Sequence, residues 1–262
     1  MPDQSQPVVL ITGAAKNTGF ATAQRFAREG YTVCITSRSA EEAASAAAAI
    51  QAEYPARTIA GFAMTPAEVP QVRAIFAQVR ERFGRLDVLV ANATAPGYQQ
   101  NILNATPEDF DFVMNSNAKG YFFCCQEAAR IMVDQRRGSI ILVGSVHSLR
   151  PLPNRILYAA SKSAIASFSR SIAIELGKYG IRCNCLIAGA IWNDRWIGLS
   201  DEQIAVRRAN WPLGRESYPA DIANTVWFLA SEQAATITGT EIVVDSGVTA
   251  NLLKYDRNWD GQ

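Results

Sequence analysis

Val8-Val9-Leu10-Ile11-Thr12-Gly13-Ala14-Ala15-Lys16-Asn17-Thr18-Gly19 runs from a short apolar segment into a turn of small and polar residues. Its first four residues are continuously apolar and mostly β-branched, which suits a strand buried on both faces. Past the turn, over 20–28, apolar residues recur at helical spacing, and Gly30 is a natural stop. A turn between strand and helix gathers backbone N–H groups and a helix N-terminus at one point, where a pyrophosphate can sit. Gly13 and Gly19 fit that use, because a Cβ there restricts φ/ψ and holds a phosphate away. A glycine pair six apart also fits an ordinary strand–helix turn. Its place after the first strand of a strand–helix series favours the dinucleotide.

The same rhythm continues outward. Strand-like runs at 33–35, 59–63, 86–90, 139–143, 182–187 and 241–244 alternate with helical stretches at 40–54, 69–83, 107–133, 158–179 and 221–231. The Ala- and Glu-rich stretch 40–54 is a strong helix former, and Pro107 suits a first helical turn. Strands that are apolar throughout, rather than alternating, predict a parallel sheet covered on both sides. No linker or composition shift divides the chain. The expectation is an α/β fold: a single doubly wound, Rossmann-like domain over 1–262, with about seven parallel strands and helices on both faces.

Composition excludes several classes of function. With 25 Lys+Arg against 24 Asp+Glu, nothing holds the protein to nucleic acid or to a membrane surface by bulk charge. No apolar run approaches the roughly 18 residues of a spanning helix. The first residues lack the basic and apolar regions of a signal peptide, so a cytoplasmic protein is expected. Five cysteines without Cys-x-x-Cys spacing read as small buried hydrophobes. A single histidine leaves little for an imidazole-rich site, and no metal is expected.

The end of the second strand bears on which dinucleotide is bound. A carboxylate there holds a ribose 2′-hydroxyl, whereas a cation pairs with a 2′-phosphate. The chain has Thr36-Ser37-Arg38, with no carboxylate before Glu41, and Lys16 adds a second cation in the first turn. Arginine binds phosphate through two parallel hydrogen bonds, and Ser37 can add a third. A solvated loop charge is the alternative for Arg38. NADP(H) is favoured over NAD(H).

Of eight tyrosines, only Tyr158 has a lysine four residues on, Lys162. On a helix the two share a face. A phenol, ordinarily titrating near 10, needs a nearby positive charge to act as an acid–base group near neutrality. Tyr-x-x-x-Lys also arises by chance on surface helices. Here Ser145 stands 13 residues earlier, at the end of the 139–143 strand, where its hydroxyl can lie beside the phenol.

With these residues in place, the sequence resembles the short-chain dehydrogenase/reductase family over nearly its whole length. The motifs are Thr12-Gly13-x-x-x-Asn17-x-Gly19, Leu89-Val90-Ala91-Asn92-Ala93, Asn117 with Gly120, Ser145, Tyr158-x-x-x-Lys162, Ile181-Arg182-Cys183-Asn184 and Ile237-Thr238-Gly239 followed by Val244-Asp245-Ser246-Gly247. The resemblance implies a tetrad. Tyr158 would exchange a proton with a carbonyl oxygen that Ser145 also binds. Lys162 would lower the phenol pKa and bind the nicotinamide ribose, and Asn117 would hold a water linking Lys162 to solvent. Cofactor contacts are expected at Gly13, Lys16, Asn17, Thr18, Gly19, Ser37, Arg38, Asn92, Ala93, Tyr158, Lys162, Gly189 and Ile191.

The chain departs from the family pattern at several places. Asn17 stands where the middle glycine of the turn is usual, and Asn tolerates left-handed backbone. Ala91-Asn92-Ala93-Thr94 replaces Asn-Asn-Ala-Gly, Ala63-Met64 stands where an Asp caps the adenine amine, Ala188-Gly189 replaces Pro-Gly, and Asn193 replaces a Thr.

On the substrate side the candidates are Ser145, His147, Tyr158 and Trp192. His147 can hydrogen-bond a substrate hydroxyl or carboxylate, or be a satisfied loop histidine. Arg150 and Arg155 read mainly as surface charge. The segment of about 190–215 resembles the family's variable lid, where Trp192 and Trp196 either wall a substrate or pack on the sheet. Trp259 suggests a tail docked on a neighbouring subunit. The resemblance also suggests a homodimer or homotetramer formed through the helices carrying Asn117 and Tyr158. The activity expected is NADP(H)-dependent exchange of hydride between nicotinamide and a carbonyl or secondary alcohol of a small polar substrate: a sugar, polyol or hydroxy/keto acid. The alternatives are a 3-oxoacyl-thioester reductase and a nucleotide-binding regulator without turnover.

Overall fold

The short apolar runs become seven parallel strands: β1 (Val8–Ile11), β2 (Thr32–Ser37), β3 (Ile59–Ala63), β4 (Val88–Ala91), β5 (Gly138–Val143), β6 (Ile181–Ala188) and β7 (Glu241–Val244). The structure is a computed structural model that describes residues 6–97 and 100–251. The strand order is β3-β2-β1-β4-β5-β6-β7. Val9 pairs with Val33 of β2 on one side and Val88 of β4 on the other, so the winding reverses at β1. In such sheets the crevice outside the carboxyl ends of the two diverging strands receives the ligand.

The described residues form eight α-helices, most of them packed on the sheet: α1 (Asn17–Arg28), α2 (Ala40–Glu53), α3 (Val69–Phe83), α4 (Pro107–Met114), α5 (Gly120–Gln135), α6 (Ile156–Leu176), α7 (Asp201–Arg208) and α8 (Pro219–Ala230). Alternation along β1 divides the core. Val8 and Leu10 pack with Phe76 of α3, Cys124 of α5 and Ile165 of α6. Val9 and Ile11 pack with Phe26 of α1, Ile50 of α2 and Val226 of α8. Both faces are apolar because both are covered, which is the doubly wound, Rossmann-like arrangement the sequence pattern predicts. All five cysteines are buried free thiols. Burial pushes those of Cys34, Cys124 and Cys185 up to about 12.

Two stretches differ from expectation. The single helix expected over 107–133 is broken by a π-helical turn, Asn115–Lys119, between α4 and α5. Apolar spacing does not register one extra residue per turn, and such turns are frequent at functional sites. Within 190–215 a helix appears, α7, started by a capping box between Ser200 and Gln203. No helix among the described residues is long and apolar enough to cross a membrane. Trp259 and the tail-docking idea attached to it lie outside the described residues.

Candidate active site

The 12–19 turn is held by its neighbours. Gly13 has φ +63, and a Cβ on it would stand 2.7 Å from Ala93 Cα. A Cβ on Gly19 would stand 2.5 Å from the Gly13 carbonyl oxygen. Thr12 Oγ1 accepts from the backbone N–H groups of Asn92 (2.9 Å) and Ala93 (3.0 Å). The Asn92 amide donates to the Thr12 and Gly13 carbonyls, both at 3.0 Å. The loop after β4 is thus bolted to the turn after β1. Asn17 takes the left-handed conformation, φ +51, that a glycine there would adopt. Lys16 is exposed at the N-cap of α1, next to the helix's unsatisfied N–H groups. This cradle of small residues at a helix N-terminus fits a dinucleotide pyrophosphate.

At the end of β2, Arg38 is exposed and Ser37 is buried. Sequence reasoning missed Glu42 here. Ser39 and Glu42 have the spacing of a capping box, and the Ser39 hydroxyl does accept the Glu42 N–H (3.2 Å). The Glu42 carboxylate, however, reaches back to accept from Ser37 Oγ at 2.6 Å. A carboxylate therefore stands at the place where the sequence shows only Ser37 and Arg38.

Ser145 follows β5, and Tyr158 and Lys162 are one turn apart on α6. Burial pushes the Tyr158 phenol up, while the Ser145 hydroxyl and the Arg155 cation pull it down. Lys162 is almost fully buried, with its Nζ 5.7 Å from the centroid of the Tyr158 ring. It donates to the Val143 carbonyl at 2.8 Å. Burial lowers its pKa to about 8.

Asn117, in the π turn, is completely buried. Its Oδ1 accepts from Thr94 Oγ1 (3.0 Å) and the Ala95 N–H (2.7 Å). Its Nδ2 donates to the Ala95 carbonyl and Ser161 Oγ, both at 3.0 Å. The side chain thereby welds the post-β4 loop to α6, one residue before Lys162. Thr94, which replaces the family's glycine, is part of that weld.

His147 sits edge-on to Tyr158, with ring centroids 5.4 Å apart. Its backbone N–H donates to Ser145 Oγ at 3.3 Å, and its Nδ1 is buried without a hydrogen-bond partner among the described residues. Burial, then Arg155, hold its pKa below the ordinary value, so the imidazole is neutral at pH 7. Arg155 is more than surface charge. It is half-buried and donates to the Pro96 carbonyl at 3.0 Å and the Gly97 carbonyl at 3.4 Å, tying the 96–97 loop to the start of α6.

Past β6, a Cβ on Gly189 would stand 2.6 Å from Asp245 Cα. Ile191 bridges to Ser217, and the Trp192 N–H donates to the Ser217 carbonyl at 2.8 Å. Trp192 stacks on Trp196 (5.5 Å), which leans on Trp211 (5.8 Å). Trp196 is buried in this aromatic packing, while Trp192 is half-buried. Asn193 accepts the Arg195 N–H at 3.1 Å, capping the short turn that carries Trp196. Gly13, Arg38, Asn92, Ser145 and Gly189 follow the carboxyl ends of their strands, while Asn117 comes from the π turn and Tyr158 and Lys162 from α6.

Comparison with known proteins agrees with this geometry. The sequence model of a family described as Enoyl-(Acyl carrier protein) reductase matches residues 13–249. The chain is 37% identical over 242 residues to a 3-oxoacyl-(acyl-carrier-protein) reductase, FabG, of Staphylococcus aureus, covering 91% of this chain and 96% of that one. It is 33% identical over 260 residues to a glucose 1-dehydrogenase of Gluconobacter oxydans, covering 96% of this chain and 94% of that protein. The crystal structure of levodione reductase superposes with a TM-score of 0.88 at 30% identity, covering 95% of this chain and 99% of that one. A seven-stranded sheet wound about β1, with a serine, a tyrosine and a lysine at its carboxyl edge, and these relatives along its length, make the chain a member of the short-chain dehydrogenase/reductase family of oxidoreductases.

Proposed function

We propose that the protein is an NADP(H)-dependent carbonyl reductase and secondary-alcohol dehydrogenase acting on a small polar substrate. The observation that carries this is Tyr158 on α6, within the influence of the Ser145 hydroxyl and with the buried Lys162 ammonium 5.7 Å from its ring, at the crevice beside the glycine turn. A bound nicotinamide supplies or takes up the hydride. Gly13, Asn17 and Gly19 would admit its pyrophosphate, Asn92 and Ala93 would border its adenosine side, and Gly189 and Ile191 would border its nicotinamide side. Lys16 and Arg38 support a 2′-phosphate; the Glu42 carboxylate on Ser37 works against it.

For reduction, Tyr158 gives its phenolic proton to the substrate oxygen, and Ser145 holds that oxygen with a hydrogen bond. The Lys162 ammonium stabilises the phenolate left behind. Asn117 holds the loop and helix on which this alignment depends. His147, neutral and edge-on to Tyr158 at 5.4 Å, supports a hydroxyl-bearing substrate, that is, a sugar, polyol or hydroxy acid.

A 3-oxoacyl thioester is the second reading, favoured by the relative of that activity at 37% identity. Nicotinamide absorbance followed with NADPH and with NADH, against aldoses, ketoses, keto acids and acyl thioesters, separates the two. Turnover confined to thioesters would remove the polar-substrate reading; nucleotide binding without turnover on any class would leave a regulator. Assembly into a homodimer or homotetramer belongs to the same proposal. It is supported by the exposed Phe112 of α4, Phe122 of α5 and Ile174 of α6, which lie on the helices flanking the tetrad.

A further inference from the structure

Tyr121 is a second phenol at Lys162, on the side away from Tyr158's own helix. It lies in the first turn of α5, is 2% exposed, and is among the largest fully buried side chains. Its O–H donates to the Val143 carbonyl at 3.2 Å. Its oxygen accepts from Lys162 Nζ at 3.4 Å, and the same Nζ donates to Val143 at 2.8 Å. Its ring centroid is 5.1 Å from that Nζ. Val143, Tyr121 and Lys162 therefore form a closed triangle of hydrogen bonds.

We propose that Tyr121 is a positioning residue: by accepting one ammonium N–H, it keeps Lys162 charged and leaves its remaining N–H directed at the reacting groups. An ammonium has three N–H donors. Two are taken by Val143 and Tyr121, and one remains. A buried cation without acceptors loses its proton, and Val143 and Tyr121 supply two of them here. The groups facing Nζ are Val143 from β5, Tyr121 from α5, Tyr158 on its own helix and the Cys185 thiol on β6. Burial raises both the Tyr121 phenol and the Cys185 thiol, so both stay neutral at working pH. Tyr121 thus acts as a fixed dipole and not as a second acid.

This rests on Lys162 being the cation that serves Tyr158 in the proposed reduction, and the test has one arm that needs no turnover. The chain has five lysines, Lys16, Lys119, Lys162, Lys178 and Lys254. Lysine labelled with 13C at Cε therefore gives few NMR signals, and the one missing from Lys162→Met is Lys162. In the unmodified protein that signal should titrate near 8. In Tyr121→Phe, which keeps the ring and removes only the hydroxyl, the midpoint should fall by about one pH unit. The alkaline limb of the kcat profile should move down with it, because the charged lysine is present below its pKa and lost above it. A melting temperature within a few degrees of the parent shows that packing survived, and Tyr121→Met repeats the test should the Phe variant not fold. An unmoved Lys162 midpoint overturns the proposal outright. A moved midpoint with an unmoved kcat limb overturns the catalytic part of it. Failure of the parent to reduce any substrate while the midpoint still shifts would fault the assigned activity and leave the Tyr121–Lys162 coupling standing.

Discussion

Individual side chains carry the chemistry, and their substitutions give the sharpest expectations. Tyr158→Phe keeps the ring that His147 packs against and removes the proton donor. Turnover should fall by about 10²–10⁴-fold, the usual contribution of a positioned acid, while the nucleotide still binds. Steady-state kinetics together with quenching of tryptophan fluorescence by nucleotide check both halves, and near-normal turnover would mean another group donates. On the proposed reading, cofactor choice rests on a contest at Ser37. Arg38→Asp should weaken NADPH far more than NADH, whereas Glu42→Gln should tighten NADPH by removing the carboxylate that holds Ser37 Oγ. Equal changes for both nucleotides in either variant would show that the residue does not meet the 2′ position.

Elements set where those side chains stand. Gly19 at the start of α1 faces backbone that cannot swing aside, so Gly19→Ala has to open the turn. Overpacking of this kind costs about 1–3 kcal/mol, and here the loss should appear in nucleotide affinity as well as in melting temperature. Just past the 190–215 segment, Glu216 accepts from Arg208 through two hydrogen bonds of 2.6 and 2.7 Å, joining α7 to the segment before α8. Arg208 holds the Glu216 carboxyl below its ordinary range. Because the folded pKa is depressed, the pair's contribution is present above the unfolded carboxylate value and is lost as pH falls through the lower folded value. Glu216→Gln should therefore lower the melting temperature at pH 7 and do so much less under strongly acid conditions. An equal drop at both would deny the ion pair a part in stability.

At the scale of the whole molecule, the exposed apolar residues of α4, α5 and α6 call for cover, since single surface hydrophobes are ordinary but Phe112, Phe122 and Ile174 stand exposed on helices that pack on one another. Phe122→Glu should shift the protein to a smaller species in light scattering coupled to size exclusion, and reduced turnover at low protein concentration should accompany it. An unchanged mass would put the subunit contact elsewhere or nowhere on these helices.

Much of this was legible in the residue string. Continuous apolar runs such as 8–11 announced strands covered on both faces, because only a fully buried strand dispenses with a polar side. The turn glycines, Ser145 and the Tyr158–Lys162 pair were legible because their spacing is itself the geometry: one helical turn, one strand end. Tertiary structure alone decided the rest. The π turn at Asn117 follows from bonds to Ala95 and Ser161, 22 and 44 residues away in sequence. Glu42 turned from its helix cap to Ser37, Arg155 turned inward to the 96–97 loop, and Tyr121 met Lys162 across the core for the same reason. Local spacing sets which face a residue occupies, but the partner it finds there depends on which distant segment the sheet order brings opposite it.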